Sequence, residues 1–176
     1  WLGSDFLTPM ASNNYGAYSP PAGGADKAYR QALGYVTIGN GTTVTGDFNT
    51  SDYADANALL TAALASLPAA GGTLLLKRGT QLVGFAGATV ALPAGKTVEI
   101  RGEHAGTPST LPEFTFTATE GLVCSATGRL VLRNLHIRHT STAIMLTTAP
   151  CEVYDVYSEN TAVLAAGAFL QGTSVS

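Results

Sequence analysis

Charge is scarce in this chain: only 12% of its 176 residues are Asp, Glu, Lys or Arg, and the net charge is −3. Nucleic acid is held by concentrated Lys and Arg set against phosphates, so no such partner is expected. Cysteine is scarcer still. Cys124 and Cys151 have no Cys or His companion at metal-ligand spacing, which excludes a disulfide scaffold and a zinc site and leaves two buried free thiols as the expectation. No apolar run approaches the ~20 residues that cross a bilayer, so no membrane insertion is expected, and Trp1 to Met10 lacks the basic start and apolar core of a secretory signal. G-x-S-x-G, phosphate-binding glycine loops and H-E-x-x-H are all missing. No cofactor and no metal are expected.

The chain has instead abundant Gly and Thr and a positive mean hydropathy. A surface this poor in charge is expected to be covered by copies of the same chain or by other subunits. The first residue is Trp rather than Met, which reads as a processed or excised part of something longer.

Residues 1–24, "WLGSDFLTPMASNNYGAYSPPAGG", show neither period 2 nor period 3.6 and read as an irregular arm. "ADKAYRQAL" (Ala25 to Leu33) can form two helical turns. "YVTIGNGTTVTGDF" alternates like a strand pair broken at Asn40 and Gly41. In "DYADANALLTAALASLP" the residues Ala56, Leu59, Leu60, Ala63, Leu64 and Leu67 follow the i, i+3, i+4 spacing of one apolar helix face, with Ser51 or Asp52 available as a cap and Pro68, Gly71 and Gly72 ending it. After Gly72 the texture changes to short β-rich runs between Gly, Pro and Thr, which indicates an all-β region.

Sliding the second half against itself reveals a repeat. An offset of 21 aligns Leu111, Phe114 and Phe116 with Leu132, Leu135 and Ile137, and these with Val153, Val156 and Ser158; it also sets Val123 on Ile144 and Cys124 on Met145. An offset of 24 carries Met145 onto Phe169, and Val98 and Ile100 match Leu130 and Leu132 across an insertion near "GEHAGTPST". Coils of about two dozen residues stacking strand on strand, ~4.8 Å apart, predict an all-β, single-stranded right-handed parallel β-helix, a solenoid with the helix at residues 55–67 as its N-terminal cap.

The segment Gly46 to Gly84, "GDFNTSDYADANALLTAALASLPAAGGTLLLKRGTQLVG", resembles the entry segment of pectate-lyase-like right-handed β-helices, in the form found in bacteriophage tailspikes and tail fibres. The resemblance covers residues 46–176 and implies a virion protein of the phage tail, extracellular and homotrimeric. It implies that residues 1–45 form a virion-attachment arm docking on other tail or baseplate proteins, and residues 46–176 the capping helix and first coils. Host recognition through bacterial surface polysaccharide would follow from the same likeness. The fold itself carries enzymes and inert parts alike.

Within the frame, "LRNLHIRH" (Leu132 to His139) points Leu132, Leu135 and Ile137 inward and Arg133, His136 and Arg138 outward, stacked on Tyr154, Tyr157 and Glu159. These are the cation–π, stacked and ion-paired rungs of an ordinary solenoid surface. A glycosidase needs two carboxylates roughly 5 to 9.5 Å apart. Asp155 and Glu159, four residues apart in one strand, stand about 13 Å apart. Glu113, Asn134 and Asp155 share a column, which sets Glu113 and Asp155 about 9.6 Å apart, the candidate catalytic pair. Asn and Asp also recur at bends, where they bond the backbone. His104 and Glu103 fall in the insertion, with no partner placed beside them. The reading is a structural tail protein that docks the receptor-binding apparatus. The alternatives are a depolymerase of surface polysaccharide, hydrolase or lyase, using Glu113 and Asp155 or a site on later coils, and a bacterial surface adhesin or carbohydrate-binding module.

Overall fold

The computed structural model describes residues 24–85, 89–104, 106–117, 121–124, 128–139, 143–147, 151–160 and 168–172. The expected arm lies outside the described residues up to residue 23. Helix α1 (Gly24–Ala32) then leads into strand β1 (Tyr35–Gly39), and β2 (Phe48–Asn49) and a 3-10 turn (Thr50–Asp52) follow. The segment read as a strand pair across Asn40 and Gly41 does pair, but in parallel, with Ile38 opposite Phe48. The Asn40 side chain causes the detour: its Oδ1 accepts from the backbone N–H groups of Thr42, Thr43 and Val44, winding the loop so that it re-enters in the same direction.

Helix α2 (Ala56–Ala65) begins later than either expected cap, because Tyr53 is extended and Asp55 takes the cap, accepting from Ala58 N at 2.7 Å. Its apolar face buries Ala56, Leu59, Leu60, Ala63 and Leu64. Lys96 Nζ donates to Leu67 O at 2.8 Å just beyond its end. The chain turns into β3 (Gly71–Leu76) at Gly71, where φ is +98° and an added Cβ would strike the Thr97 carbonyl.

The remaining strands are β4 (Gln81–Val83), β5 (Thr89–Ala91), β6 (Thr97–Gly102), β7 (Glu113–Phe116), β8 (Gly121–Cys124), β9 (Arg129–His139), β10 (Ala143–Thr147), β11 (Cys151–Asn160) and β12 (Ala168–Gly172). One sheet runs β2-β1-β3-β6-β9-β7-β4 with β11 also on β9; a second runs β12-β10-β8-β5. Every pairing between them is parallel. Val36, Leu74, Ile100, Leu132 and the α2 leucines close one core with Phe85, Phe114 and Phe116, whose ring centroids lie 4.6 to 6.3 Å apart. Each such buried side chain contributes roughly 1.5 to 3 kcal/mol.

This architecture corrects the expected all-β right-handed solenoid. The strands are parallel but form a curled sheet, a half-barrel, with two α-helices built into it. A solenoid stacks each strand on one counterpart at a steady repeat, whereas β9, 11 residues long, lies along two different strands on one side of the repeat. Its first half pairs with β6, Thr97 opposite Arg129 through Arg101 opposite Arg133, and its second half with β7, Glu113 opposite His136 through Phe116 opposite His139. The 21-residue offset holds between β9 and β11, as in the Arg138–Glu159 contact. Elsewhere it drifts: Val123 faces Leu146 rather than Ile144, and Met145 faces Leu170 rather than Phe169. The expected matches of Val98 with Leu130 and Ile100 with Leu132 are present.

Candidate functional site

The outer face of β9 carries two clusters of charged and aromatic side chains. In a parallel ladder, residues in register fall on the same face, so the alternation that buries Leu130, Leu132, Leu135 and Ile137 fixes where their neighbours stand. Asn134 and Asp155 interrupt the alternation with φ of +53° and +51°, side by side at a bend that both strands share. Asn and Asp tolerate this left-handed backbone better than other side-chain-bearing residues.

Beyond the bend lies the first cluster. His136 is 4% exposed. Its Nδ1 lies 3.2 Å from Glu113 Oε2 and its Nε2 lies 3.3 Å from Glu159 Oε2, the latter without hydrogen-bond alignment. Arg138 reaches the same two carboxylates, Nη1 at 3.5 Å from Glu113 and Nε at 3.3 Å from Glu159. Thr115 Oγ1 donates to Glu113 at 2.7 Å, and the Tyr157 ring packs against His136 at 5.1 Å. His136 was expected to be an outward, exposed rung. It is buried because β7 flanks this half of β9 and brings Glu113 against the ring.

That register also moves Glu113. It stands opposite His136, not Asn134, so it does not share the Asn134–Asp155 column. A slip of two residues keeps the inside–outside alternation, so Phe114 and Phe116 stay buried while Glu113 gains new neighbours. The structure therefore joins Glu113 to His136, Arg138 and Glu159, and leaves Asp155 exposed at the bend. Glu103 accepts from Arg78 N at 3.1 Å and His104 is exposed. Cys151 is buried in the core. Among the described residues no group of three or more His, Cys, Asp and Glu could hold a metal ion. No described helix is long and apolar enough to cross a membrane.

Before the bend lies the second cluster. Arg133 sits 4.7 Å from the Tyr154 ring centroid, with Glu99 Oε1 3.6 Å from its Nε. Arg129 is paired with Glu152, and Tyr154 donates its hydroxyl to Glu152 at 3.0 Å. The hydrogen bond to Arg129 holds the Glu152 carboxyl below its ordinary range, and the hydrogen bond to Glu152 raises the Tyr154 phenol above its own. Glu99, Arg129, Arg133 and Glu152 line a groove of about 490 Å³ together with Gly71, Gly72, Thr73 and Thr97.

Two features escaped the sequence. Matching Ile100 with Leu132 already implied that Arg101 stands on Arg133. Asp47, buried beneath α1, accepts from Arg30 and from Thr37 N and Oγ1, and its only advance signal was the Asp26–Arg30 pair at i, i+4. Burial opposes ionisation of Asp47, but the bonds from Arg30 and Thr37 outweigh it and hold the carboxyl below its ordinary range. Comparison with family models, with curated proteins and with solved structures finds no match for the chain.

Proposed function

We propose that the chain is a structural part of a phage tail, the N-terminal region of a tailspike or tail fibre that docks a receptor-binding apparatus to the particle. The observation that carries this is the parallel sheet and its long edge. Among the described residues, the ten-residue β11 pairs with β9 alone and β12 with β10 alone, so each sheet ends in a strand ready for a further strand. An unpaired edge of that length is an aggregation hazard unless something covers it. A partner subunit or neighbouring tail protein suits that role, and scarce surface charge suits burial in an assembly. The resemblance of Gly46–Gly84 to tailspike entry segments supports the same reading, independently of a closed solenoid. Light scattering on the purified chain tests it: a homotrimer is expected, and a stable monomer at micromolar concentration overturns it.

A second reading, a depolymerase of bacterial surface glycans, draws on the carboxylate–imidazole pair of Glu113 and His136. A carboxylate that orients an imidazole is a recurring element of acid–base sites. Here the ring lies beneath Tyr157 with carboxylates at both nitrogens, an arrangement better suited to an ion network than to reaching a substrate. Appearance of reducing ends or unsaturated products from capsular polysaccharide, abolished in Glu113→Gln, would replace the structural reading with this one.

A further inference from the structure

The arginines at Arg101 and Arg133 stand directly opposite one another on β6 and β9. Like charges facing across adjacent strands repel, so such a pair calls for a compensating anion. The nearby acids are already engaged. Glu99 faces Arg133 at 3.6 Å, accepts from Thr73 Oγ1 at 3.3 Å, and Glu152 is taken by Arg129 and Tyr154. Among the described residues Arg101 forms no ion pair and no side-chain hydrogen bond, although it is only partly exposed. The Nε of Arg101 is buried and has no hydrogen-bond partner, and the buried Nε of Arg133 has the Glu99 carboxylate at ion-pair distance but no hydrogen bond. A buried donor without a partner carries a desolvation cost that a ligand would remove. The Tyr154 ring over Arg133 holds one guanidinium in place. The groove beside Arg133 is lined also by Thr73, Thr97 and Arg129 and by Glu99 and Glu152, the two carboxylates already engaged, and it leaves room for a bound molecule.

We infer that Arg101 and Arg133 form a binding site for an oxyanion, the carboxylate or sulfate group of a ligand lying in the adjacent groove. A guanidinium presents parallel N–H donors that match two oxygens of such a group, and two guanidiniums in register offer that fork twice. The site uses neither Glu113 nor Asp155 and is independent of the proposed structural role.

Titration calorimetry at low ionic strength tests the inference with sodium glucuronate, sodium sulfate and neutral glucose as probes. Saturable binding of glucuronate or sulfate that weakens with added salt, with none for glucose, is expected, and the better of the two anions identifies the group. Arg101→Gln and Arg133→Gln should each weaken it roughly tenfold or more, and the exposed Arg78→Gln should leave it unchanged. Arg101→Lys, which keeps the charge but loses the fork, should fall between. Side-chain Nε–H resonances of Arg101 and Arg133 in the intact chain should shift on titration, a readout that needs no variant to fold. Absence of saturable binding, equal affinity across the variants, or Nε–H resonances unmoved at saturation would overturn it.

Discussion

Two ion clusters in this molecule use the same chemistry at opposite depths. Around Asp47 the carboxylate is 2% exposed and gathers Arg30, the Thr37 amide and the Thr37 hydroxyl, while Lys27 donates to the Asp47 carbonyl at 2.6 Å and lies over Phe48 at 4.2 Å. Around Glu152 the carboxylate gathers Arg129 and Tyr154 in the open. Water already satisfies the second set, so its net worth is small. The first set replaces water altogether, and removing one member strands the others. Helix α1, polar along much of its length, is thus fixed to β1 and β2 chiefly through Asp47, whereas the β9–β11 ladder would stand without Glu152.

The largest effect is therefore expected at Asp47. Asp47→Ala should destabilise the chain by about 3 kcal/mol, toward the lower end of what breaking a buried pair costs because Arg30 keeps some contact with water. Chemical denaturation monitored by circular dichroism measures it. An equal loss in Glu152→Ala would erase the contrast between the two clusters.

Acid should find the same weak point. The folded-state value of Asp47 is depressed, so its contribution is fully present above the unfolded carboxylate value, ~3.9, and is lost as pH falls through the lower folded value. Denaturation midpoints of Asp47→Asn should lie below those of the unsubstituted chain at neutral pH. The two curves should converge as pH drops through the acid range. A gap that persists undiminished to the lowest pH would show that the stabilisation does not come from the ionised carboxylate.

Between the extremes stands the Glu113–His136 cluster. Glu113 is nearly enclosed, so Glu113→Gln should cost roughly 1 to 2 kcal/mol by weakening charge-assisted contacts to Arg138 and His136. Glu159, on the same ring but more open to solvent, should cost within about 0.5 kcal/mol as Glu159→Gln. Equal costs would mean that depth does not govern this cluster.

How much of this was legible depends on whether a signal was local. Helix α2 was readable because six apolar residues repeat at helical spacing within one segment. The pairs of Arg133 with Tyr154, His136 with Tyr157 and Arg138 with Glu159 were readable because β9 and β11 pair at a constant offset of 21 residues. The register of Glu113 was not. The stretch between β6 and β7 has no repeat to measure against, and a slip of two residues leaves the apolar pattern unchanged. The curl of the sheet was illegible for a related reason: parallel pairing in register is common to a solenoid and a half-barrel, and what separates them is one strand serving two neighbours, which periodicity along a single chain does not encode. Asp47 was missed because its partners come from α1 and β1, and only the folded backbone brings Thr37 and Arg30 to one carboxylate.

The smallest effect belongs to the exposed cluster and is spectroscopic. Glu152→Gln should leave the denaturation midpoint unchanged within error, yet it removes the charge that raises the Tyr154 phenol. The Tyr154 ring resonance, followed by NMR through an alkaline titration, should then move at lower pH than in the unsubstituted chain. Because Tyr154 also lies over Arg133, which favours the phenolate, the shift in Glu152→Gln isolates the acid's share of the local field. An unmoved Tyr154 titration would mean that solvent already screens this carboxylate from its neighbour, and the contrast with Asp47 would be wider than the geometry alone implies.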